Sequence, residues 1–283
     1  MTISREGDMK KGYARVLAIA GSDSGGGAGI QADIKAISAT GGYASTAITA
    51  VTVQNTLGVS AVHVIPADIV CAQIEAVIGD IGADAVKIGM LAGKRTVEAV
   101  ASSLADLPNV VLDPVMVSTS GHRLLEPDAV EALVRGLAPR ARLLTPNIPE
   151  AEEMTGEKVV SGRDLPRIAE MLSDRLSSAG GRAVSVLVKA GHLDEDPMRD
   201  CLYDAERGVA VEFASPRVRT VNTHGTGCTL SSAIASFLAQ GFGLEEAVGK
   251  AKEYIAGALA AGAEYSIGRG CGPVDHFYGT RKK

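Results

Sequence analysis

Short apolar runs alternate along the chain with longer segments whose apolar residues recur every three or four positions. Arg15–Ala20, Tyr43–Thr52, Ala61–Ile65, Ala85–Ile88, Asn109–Leu112, Ala141–Leu144 and Ser185–Val188 have the length and composition of strands. Asn109–Leu112 is almost purely apolar, as a parallel strand covered on both faces must be. The intervening pattern predicts helices over Ile30–Thr40, Pro66–Ile78, Lys94–Leu107, Pro127–Leu137 and Leu165–Ala179. Two more, Thr226–Ala239 and Leu244–Tyr265, close the chain. Pro66 suits a first helical position, with Asp68 near the positive end of the helix. Cys201–Tyr203 and Val209–Phe213, separated by charged turn residues, predict an antiparallel hairpin.

Strands alternating with helices predict an α/β fold, a mostly parallel central sheet with right-handed crossovers placing helices on both faces. No repeat, low-complexity tract or linker divides residues 15–283, so one domain is expected, preceded by a polar tail at residues 1–14. That tail has no apolar stretch of the kind a signal peptide needs. The 33 glycines among 283 residues suit a fold with many strand-to-helix turns. A net charge of −5, with Lys and Arg scattered, argues against a nucleic-acid surface. No run approaches the ~20 apolar residues of a membrane span. The four cysteines, at 71, 201, 228 and 271, lack metal-ligand spacing. Together these features predict a soluble cytoplasmic protein with reduced thiols.

Two glycine-rich turns stand out. Asn222-Thr-His-Gly-Thr-Gly-Cys-Thr-Leu-Ser-Ser232 opens a predicted helix. Tight glycine backbone and the unsatisfied N–H groups of a helix start make such a segment an anion site. Cys228 sits inside it, where a thiolate would feel the same field. An ordinary glycine-rich helix start with a small buried cysteine has the same sequence. The second turn, Gly21-Ser-Asp-Ser-Gly-Gly-Gly-Ala-Gly29, joins a strand to a helix but matches neither G-x-G-x-x-G nor the lysine-terminated P-loop. It is either a close backbone approach to a ligand or a tight crossover without one.

Polar residues fall where the predicted strands end: Asp23, Gln54 with Asn55, Asp113, Asn147 with Glu150, and Lys189. Open α/β sheets bind ligands beyond the carboxyl ends of their strands. Carboxylates, an Asn, a Lys and an anion hole suit phosphoryl transfer, which depends on positioning and charge neutralisation. Taken singly, each strand-end Asp or Asn could equally cap the next helix.

The segments Ala20–Asp33, Gln54–Thr56, Lys87–Leu91, Leu112–Met116, Thr145–Asn147 with Pro149–Ala151, and Asn222–Ser231 resemble the hydroxymethylpyrimidine/phosphomethylpyrimidine kinases. These form the thiamine-biosynthetic branch of the ribokinase-like superfamily. The resemblance covers about residues 15–279 in the family's order. It implies ATP-dependent phosphorylation of 4-amino-5-hydroxymethyl-2-methylpyrimidine and then of its monophosphate, with Mg²⁺ assisting. It also implies a cytoplasmic homodimer without nucleic-acid or membrane partners. No fused thiamine phosphate synthase domain is expected after the kinase motifs.

By the same resemblance, Gly225, Thr226, Gly227 and Cys228 form the anion hole. Gln54 reads the pyrimidine, and Gly21, Ala28, Met90 and Val115 surround the ring with Asp33 nearby. Asp113 and Glu150 hold Mg²⁺ through water, while Asn147, Lys189 and Thr223 face ATP. Met90 and Val115 are also compatible with simple core packing. Other ribokinase-like enzymes carry an Asp base where Cys228 stands. A cysteine suits a second acceptor that is itself a phosphate of about −1.5 to −2 charge. It can stay neutral for that acceptor or ionise for the hydroxyl. His192 and His224 are expected to be structural or close to the nucleotide, without proton transfer. Lys189-Ala-Gly-His192 departs from the family's Lys-Gly-Gly-His, a change that matters only if residue 190 needs positive φ. Pyridoxal or pyridoxine phosphorylation is the rival activity within this branch, and a non-catalytic nucleotide-binding protein the rival from another class.

Overall fold

The computed structural model describes residues 12–104, 107–118, 121 and 123–280. Most of the expected tail lies outside this range. Alternating burial along the strands sets the architecture. In β1 (Arg15–Asp23), Val16 and Ala18 enter one apolar layer and Leu17 and Ile19 the other, all four fully buried. The same alternation runs through β4 (Ala85–Ile88), β5 (Val110–Leu112), β6 (Leu143–Leu144) and β7 (Ser185–Val188). With β2 (Tyr43–Asn55) they form a parallel core in the order β2-β1-β4-β5-β6-β7.

Antiparallel strands extend both edges. β3 (Gly58–Val64) pairs with β2, while β8 (Met198–Asp204) and β9 (Val209–Ser215) follow β7. The second of these hairpins matches expectation. The first does not: the predicted polar loop from Val53 is instead the last stretch of β2, which returns as β3 after Thr56 and Leu57. Val51, Val53 and His63 stay exposed on the hairpin, so its residues lack the full burial that the sequence pattern tracks.

Helices α1 (Gly29–Ala39), α7 (Thr226–Ala239) and α8 (Leu244–Gly262) cover one face of the sheet. The opposite face is covered by α2 (Ala67–Asp80), α3 (Lys94–Ser103), α4 (Pro127–Ala132), α5 (Ile148–Thr155) and α6 (Leu165–Gly180). The predicted helix 127–137 changes to a π turn at Leu133–Leu137 and a 3₁₀ turn at Ala138–Arg140. Gly136 favours helix weakly and Pro139 has no N–H to continue one. Helix α5 was not expected, although Pro149 and Glu150 behind Asn147 are its start signals. Among the described residues, no helix is long and apolar enough to cross a membrane.

Chain direction across the sheet reverses at β1. From β1 the chain crosses through α1 to β2 on one side, then returns through α2 to β4 on the other. The carboxyl ends of β1 and β4 therefore border the switch point at which open α/β sheets take their ligands.

Candidate active site

Gly225 caps α7 with φ 80°, and a Cβ there would collide with the carbonyl of Gly27. The two glycine-rich turns thus pack backbone against backbone, which no side-chain-bearing residue permits. No backbone acceptor among the described residues takes the N–H groups of Gly227 and Cys228. With the dipole of a 14-residue helix behind them, they form an anion hole. Thr229 Oγ1 donates to Gly225 O at 2.8 Å and lies 2.9 Å from His276 Nε2, so the C-terminal segment braces the cap.

Asp23, at the end of β1, organises the other turn. Its carboxylate accepts the N–H groups of Gly25, Gly27 and Ala28 at 2.7, 3.0 and 2.9 Å. His224 Nε2 lies 2.9 Å away, joining this turn to the residue before the α7 cap. Burial opposes ionisation of Asp23, but the bonds from His224, Ala28 and Gly25 outweigh it and its pKa falls. Ser24 Oγ and the Gln54 backbone exchange bonds of 2.7 and 2.9 Å, tying the turn to the β2–β3 hairpin. Thr52 Oγ1 donates to Gln54 Oε1 at 3.0 Å. That hydroxyl lies equally close to Ser22 O, at 3.0 Å, and the far end of the Gln54 amide lies 3.4 Å from the His224 Nε2 that pairs with Asp23.

Beside these turns lies a small apolar wall. Met90 packs with Ala50 and Ala92, and Val62, Val115 and Leu124 lean against them. A Cβ at Gly21 would stand 3.0 Å from Met90 Sδ, so the glycine leaves room there for the thioether. Thr49 Oγ1 donates to Met90 O at 2.6 Å and holds the loop after β4.

The polar end is built from β5, β6 and β7. Asp113 Oδ1 accepts from Lys189 Nζ at 2.7 Å and from Thr145 Oγ1 at 3.1 Å. A Cβ at Gly227 would lie 3.3 Å from Lys189 Nζ and 3.4 Å from Asp113 Oδ2, so this pair adjoins the anion hole directly. Asn147 and Glu150 cap α5 reciprocally. Burial, with Asp113 adding to it and Lys189 opposing, pushes the Glu150 carboxyl up to about 7. Burial also opposes the charge on Lys189, but Asp113 and Glu150 raise its pKa overall.

Two carboxylates, one of them resisting ionisation partly because of the other, fit a divalent cation that would relieve their repulsion. Among the described residues no group of three or more His, Cys, Asp or Glu could hold a metal ion. A hydrated Mg²⁺ held by one or two carboxylates and substrate phosphates needs no more. The Cys228 thiol is pushed up to about 11, chiefly by burial; Lys87 opposes, Asp33 and Asp113 add to it, and the Gly29 N–H opposes. Of the two states open to this thiol, the neutral one therefore holds at pH 7. Ala190 is absent from the positive-φ residues, so replacing the family's glycine there brings no backbone strain.

One cavity of about 600 Å³ is lined by Gly21, Ala28, Gln54, Met90, Asp113, Val115, Asn147, Glu150, Lys189, Thr223 and Gly225–Cys228. Every site residue picked out from the sequence is there except Asp33. That residue, placed near the ring pocket by the resemblance, is instead fully buried against the sheet, 2.7 Å from Lys87 Nζ and 2.8 Å from Ser232 Oγ. Its position in the first turn and a half of α1 turns it away from the cavity and toward β4.

Several participants escaped the sequence reading. The sequence marks Asp23 and His224 singly, and the fold pairs them across 201 residues. Lys252 Nζ lies 2.6 Å from Asp200 Oδ2 on the cavity wall, and Asp200 Oδ1 accepts the Ala190 N–H at 2.8 Å. A lysine inside the apolar strand Ala85–Ile88 was the visible signal for Lys87. Nothing local distinguished His276.

The family model for phosphomethylpyrimidine kinase matches residues 23–275. A hydroxymethylpyrimidine/phosphomethylpyrimidine kinase of Rhizobium meliloti is 48% identical over 266 residues, covering 94% of this chain and 97% of that protein. The structure of phosphomethylpyrimidine kinase from Clostridium difficile 630 superposes with a TM-score of 0.75 at 43% identity, covering 87% of this chain and 99% of that one. An ADP complex of Bacillus subtilis pyridoxal kinase gives a TM-score of 0.83 at 35% identity, covering 94% and 98%. On this sequence match and this fold, the chain belongs to the phosphomethylpyrimidine kinase family.

Proposed function

We propose that this chain transfers the γ-phosphoryl group of ATP to the hydroxyl of hydroxymethylpyrimidine and then to the resulting monophosphate, serving thiamine biosynthesis. The observation that carries this reading is the single cavity joining an amide-bearing apolar pocket to an anion hole flanked by Asp113 and Lys189. Gln54, its amide beside Thr52 and His224, offers an acceptor and a donor to the aminopyrimidine edge. Gly21, Ala28, Met90 and Val115 enclose the ring. The acceptor oxygen then points toward Gly225–Cys228.

Gly227 and Cys228 present N–H groups to the transferring phosphoryl, donors already oriented before charge develops. Lys189 neutralises charge on the ATP phosphates, and Asn147 and Thr223 help to hold the nucleotide. Asp113 and Glu150 would hold Mg²⁺, which supplies charge neutralisation on the phosphate oxygens. The neutral Cys228 thiol does not repel the phosphate of the second acceptor, and no covalent enzyme intermediate is required.

Mixing the protein with ATP, Mg²⁺ and hydroxymethylpyrimidine, and following phosphorus NMR, tests the reading. Monophosphate followed by diphosphate is expected; no transfer to either acceptor overturns it. Similarity to a pyridoxal kinase favours a second, slower activity on vitamin B6 compounds, measured by substituting pyridoxal in the same assay. Residues 15–283 would act as one catalytic domain in the cytoplasm. The exposed Val51 and Val53 on one face of the β2–β3 hairpin, with Leu57 at its turn, support a homodimer through that face, which sedimentation equilibrium measures.

A further inference from the structure

Among the described residues, Lys87 is the bulkiest side chain that is completely buried. It lies in β4 between Val86 and Ile88, which enter the opposite layer, so its chain runs toward α1 and α7. Its ammonium meets Asp33 Oδ1 at 2.7 Å, and Ser232 Oγ donates to the same oxygen at 2.8 Å. Ser232 follows Cys228 by one helical turn, so the two share a face of α7. Neither Lys87 nor Asp33 lines the cavity; both lie behind its wall.

Hydrogen bonding around this pair is incomplete. Asp33 Oδ2 is buried without a partner. Among the described residues, Lys87 Nζ has a single acceptor. A buried ion pair is weak support for stability, since well-packed apolar replacements are often as stable or more so. An incompletely bonded pair supports stability even less. What distinguishes this one is its position. Lys87 interacts electrostatically with Cys228 and Asp113 as well as with Asp33. Gly89 is a glycine where a Cβ would stand 2.8 Å from Lys87 Nζ, so the strand end makes room for the ammonium.

We propose that Lys87 and Asp33 are positioning residues for phosphoryl transfer: anchored to Ser232, the pair sets the first turn of α7 and holds a fixed cation behind the anion hole. The proposal rests on the kinase reading above. The transferring phosphoryl group is then flanked by Lys189 on the cavity side and Lys87 on the protein side. Burial opposes the charge on Lys87, but the carboxylates of Asp33 and Asp113 outweigh it and raise its pKa, so the ammonium persists at all working pH values; burial raises the Asp33 carboxyl in turn, with Lys87 and Ser232 opposing. The groups facing Cys228 are Asp33 from α1, Lys87 from β4 and Asp113 from the end of β5, with the Gly29 N–H on its sulfur.

The test uses the double variant Lys87→Met/Asp33→Leu, which removes both charges without leaving either group unpaired. Thermal melting establishes folding, steady-state kinetics separate kcat from KM for ATP, and iodoacetamide alkylation of Cys228 is followed against pH with Cys71, Cys201 and Cys271 replaced by Ser. The expected result is a folded enzyme whose kcat falls about tenfold to a hundredfold at unchanged KM. The alkylation midpoint moves upward, because the lysine's influence on the thiol exceeds the aspartate's. A folded double variant with wild-type kcat and an unmoved midpoint overturns the proposal. Ser232→Ala is the second variant, should the first not fold. It cuts the link from α7 to Asp33 without touching charge, and wild-type kcat there overturns the proposal equally. Absence of transfer by the wild-type protein would defeat the kinase reading instead, while the alkylation profile would still decide about Lys87 and Asp33.

Discussion

The Glu150 carboxylate accepts the Asn147 N–H at 2.8 Å, while the Asn147 side-chain oxygen accepts the Glu150 N–H at 2.9 Å. The N-x-x-E element is thus a reciprocal helix cap as well as a pair of site residues. One short motif both starts α5 and aims a buried carboxylate toward Asp113. Rigidity at the site comes from the same bonds that end the loop after β6.

Substitutions at Glu150 should separate these two roles. Glu150→Gln keeps an oxygen for the Asn147 N–H, so the melting temperature should stay within a few degrees of wild type. The lost charge should still raise the Mg²⁺ concentration needed for half-maximal activity about tenfold or more. Glu150→Ala should show the same Mg²⁺ defect and lose about 1 kcal/mol of stability with the cap. Magnesium titrations with parallel thermal melts decide it, and a Gln variant with wild-type magnesium dependence would contradict the metal role.

Gly225 and Gly227, two residues apart, should respond differently to alanine. At Gly225 φ is 80° and the new Cβ meets the Gly27 carbonyl, so Gly225→Ala should force the two turns apart. A fall in kcat of about a hundredfold or more is expected, with clear loss of stability. At Gly227 a Cβ meets Lys189 and Asp113 at ordinary to slightly tight distances. Gly227→Ala should fold normally yet bind ATP more weakly, a contrast measured by melting and by nucleotide titration.

At Cys228 the neutral thiol leads to a prediction about acceptors. Cys228→Asp places a carboxylate beside Asp113 and opposite an acceptor that is already a phosphate in the second reaction. Its kcat/KM should therefore drop more for the monophosphate than for the alcohol, by about tenfold or more. Equal losses on both acceptors would remove the charge argument. Alkylation of wild-type Cys228 should be slow at pH 7 and rise as pH approaches about 11.

His276 should make the folded protein acid-sensitive. Burial, with the Lys35 charge adding to it and Asp275 opposing, lowers its pKa to about 4. From about pH 6.5 down to 4 the unfolded chain takes up a proton that the folded chain refuses. The His276 contribution to stability should fall across that window as pH drops, by up to about 3 kcal/mol, while Glu150, its carboxyl raised to about 7, contributes in the opposite sense over nearly the same range. His276→Gln should gain stability relative to wild type as pH drops through that window. Urea melts of both proteins from pH 4 to pH 7.5 measure it; identical slopes would show that the imidazole is not the group responsible.

Fold class was legible from the residues because burial on both faces leaves a local trace. Strands Ala85–Ile88 and Ser185–Val188 and helix Thr226–Ala239 lie where their apolar patterns end. The glycine turn that starts α7 was legible for a related reason: Gly225 must be a glycine where its own backbone turns left-handed, a local demand. The β2–β3 hairpin was missed because its exposed face carries no burial signal, and α5 because its start resembles a loop. Asp33 was misplaced because its partner Lys87 is 54 residues away, and the same holds for Asp23 with His224 and for Thr229 with His276. Local sequence records whether a side chain is to be buried and how its backbone turns. Which charge it meets once buried depends on how the layers dock, and only the folded chain brings those partners within hydrogen-bond distance.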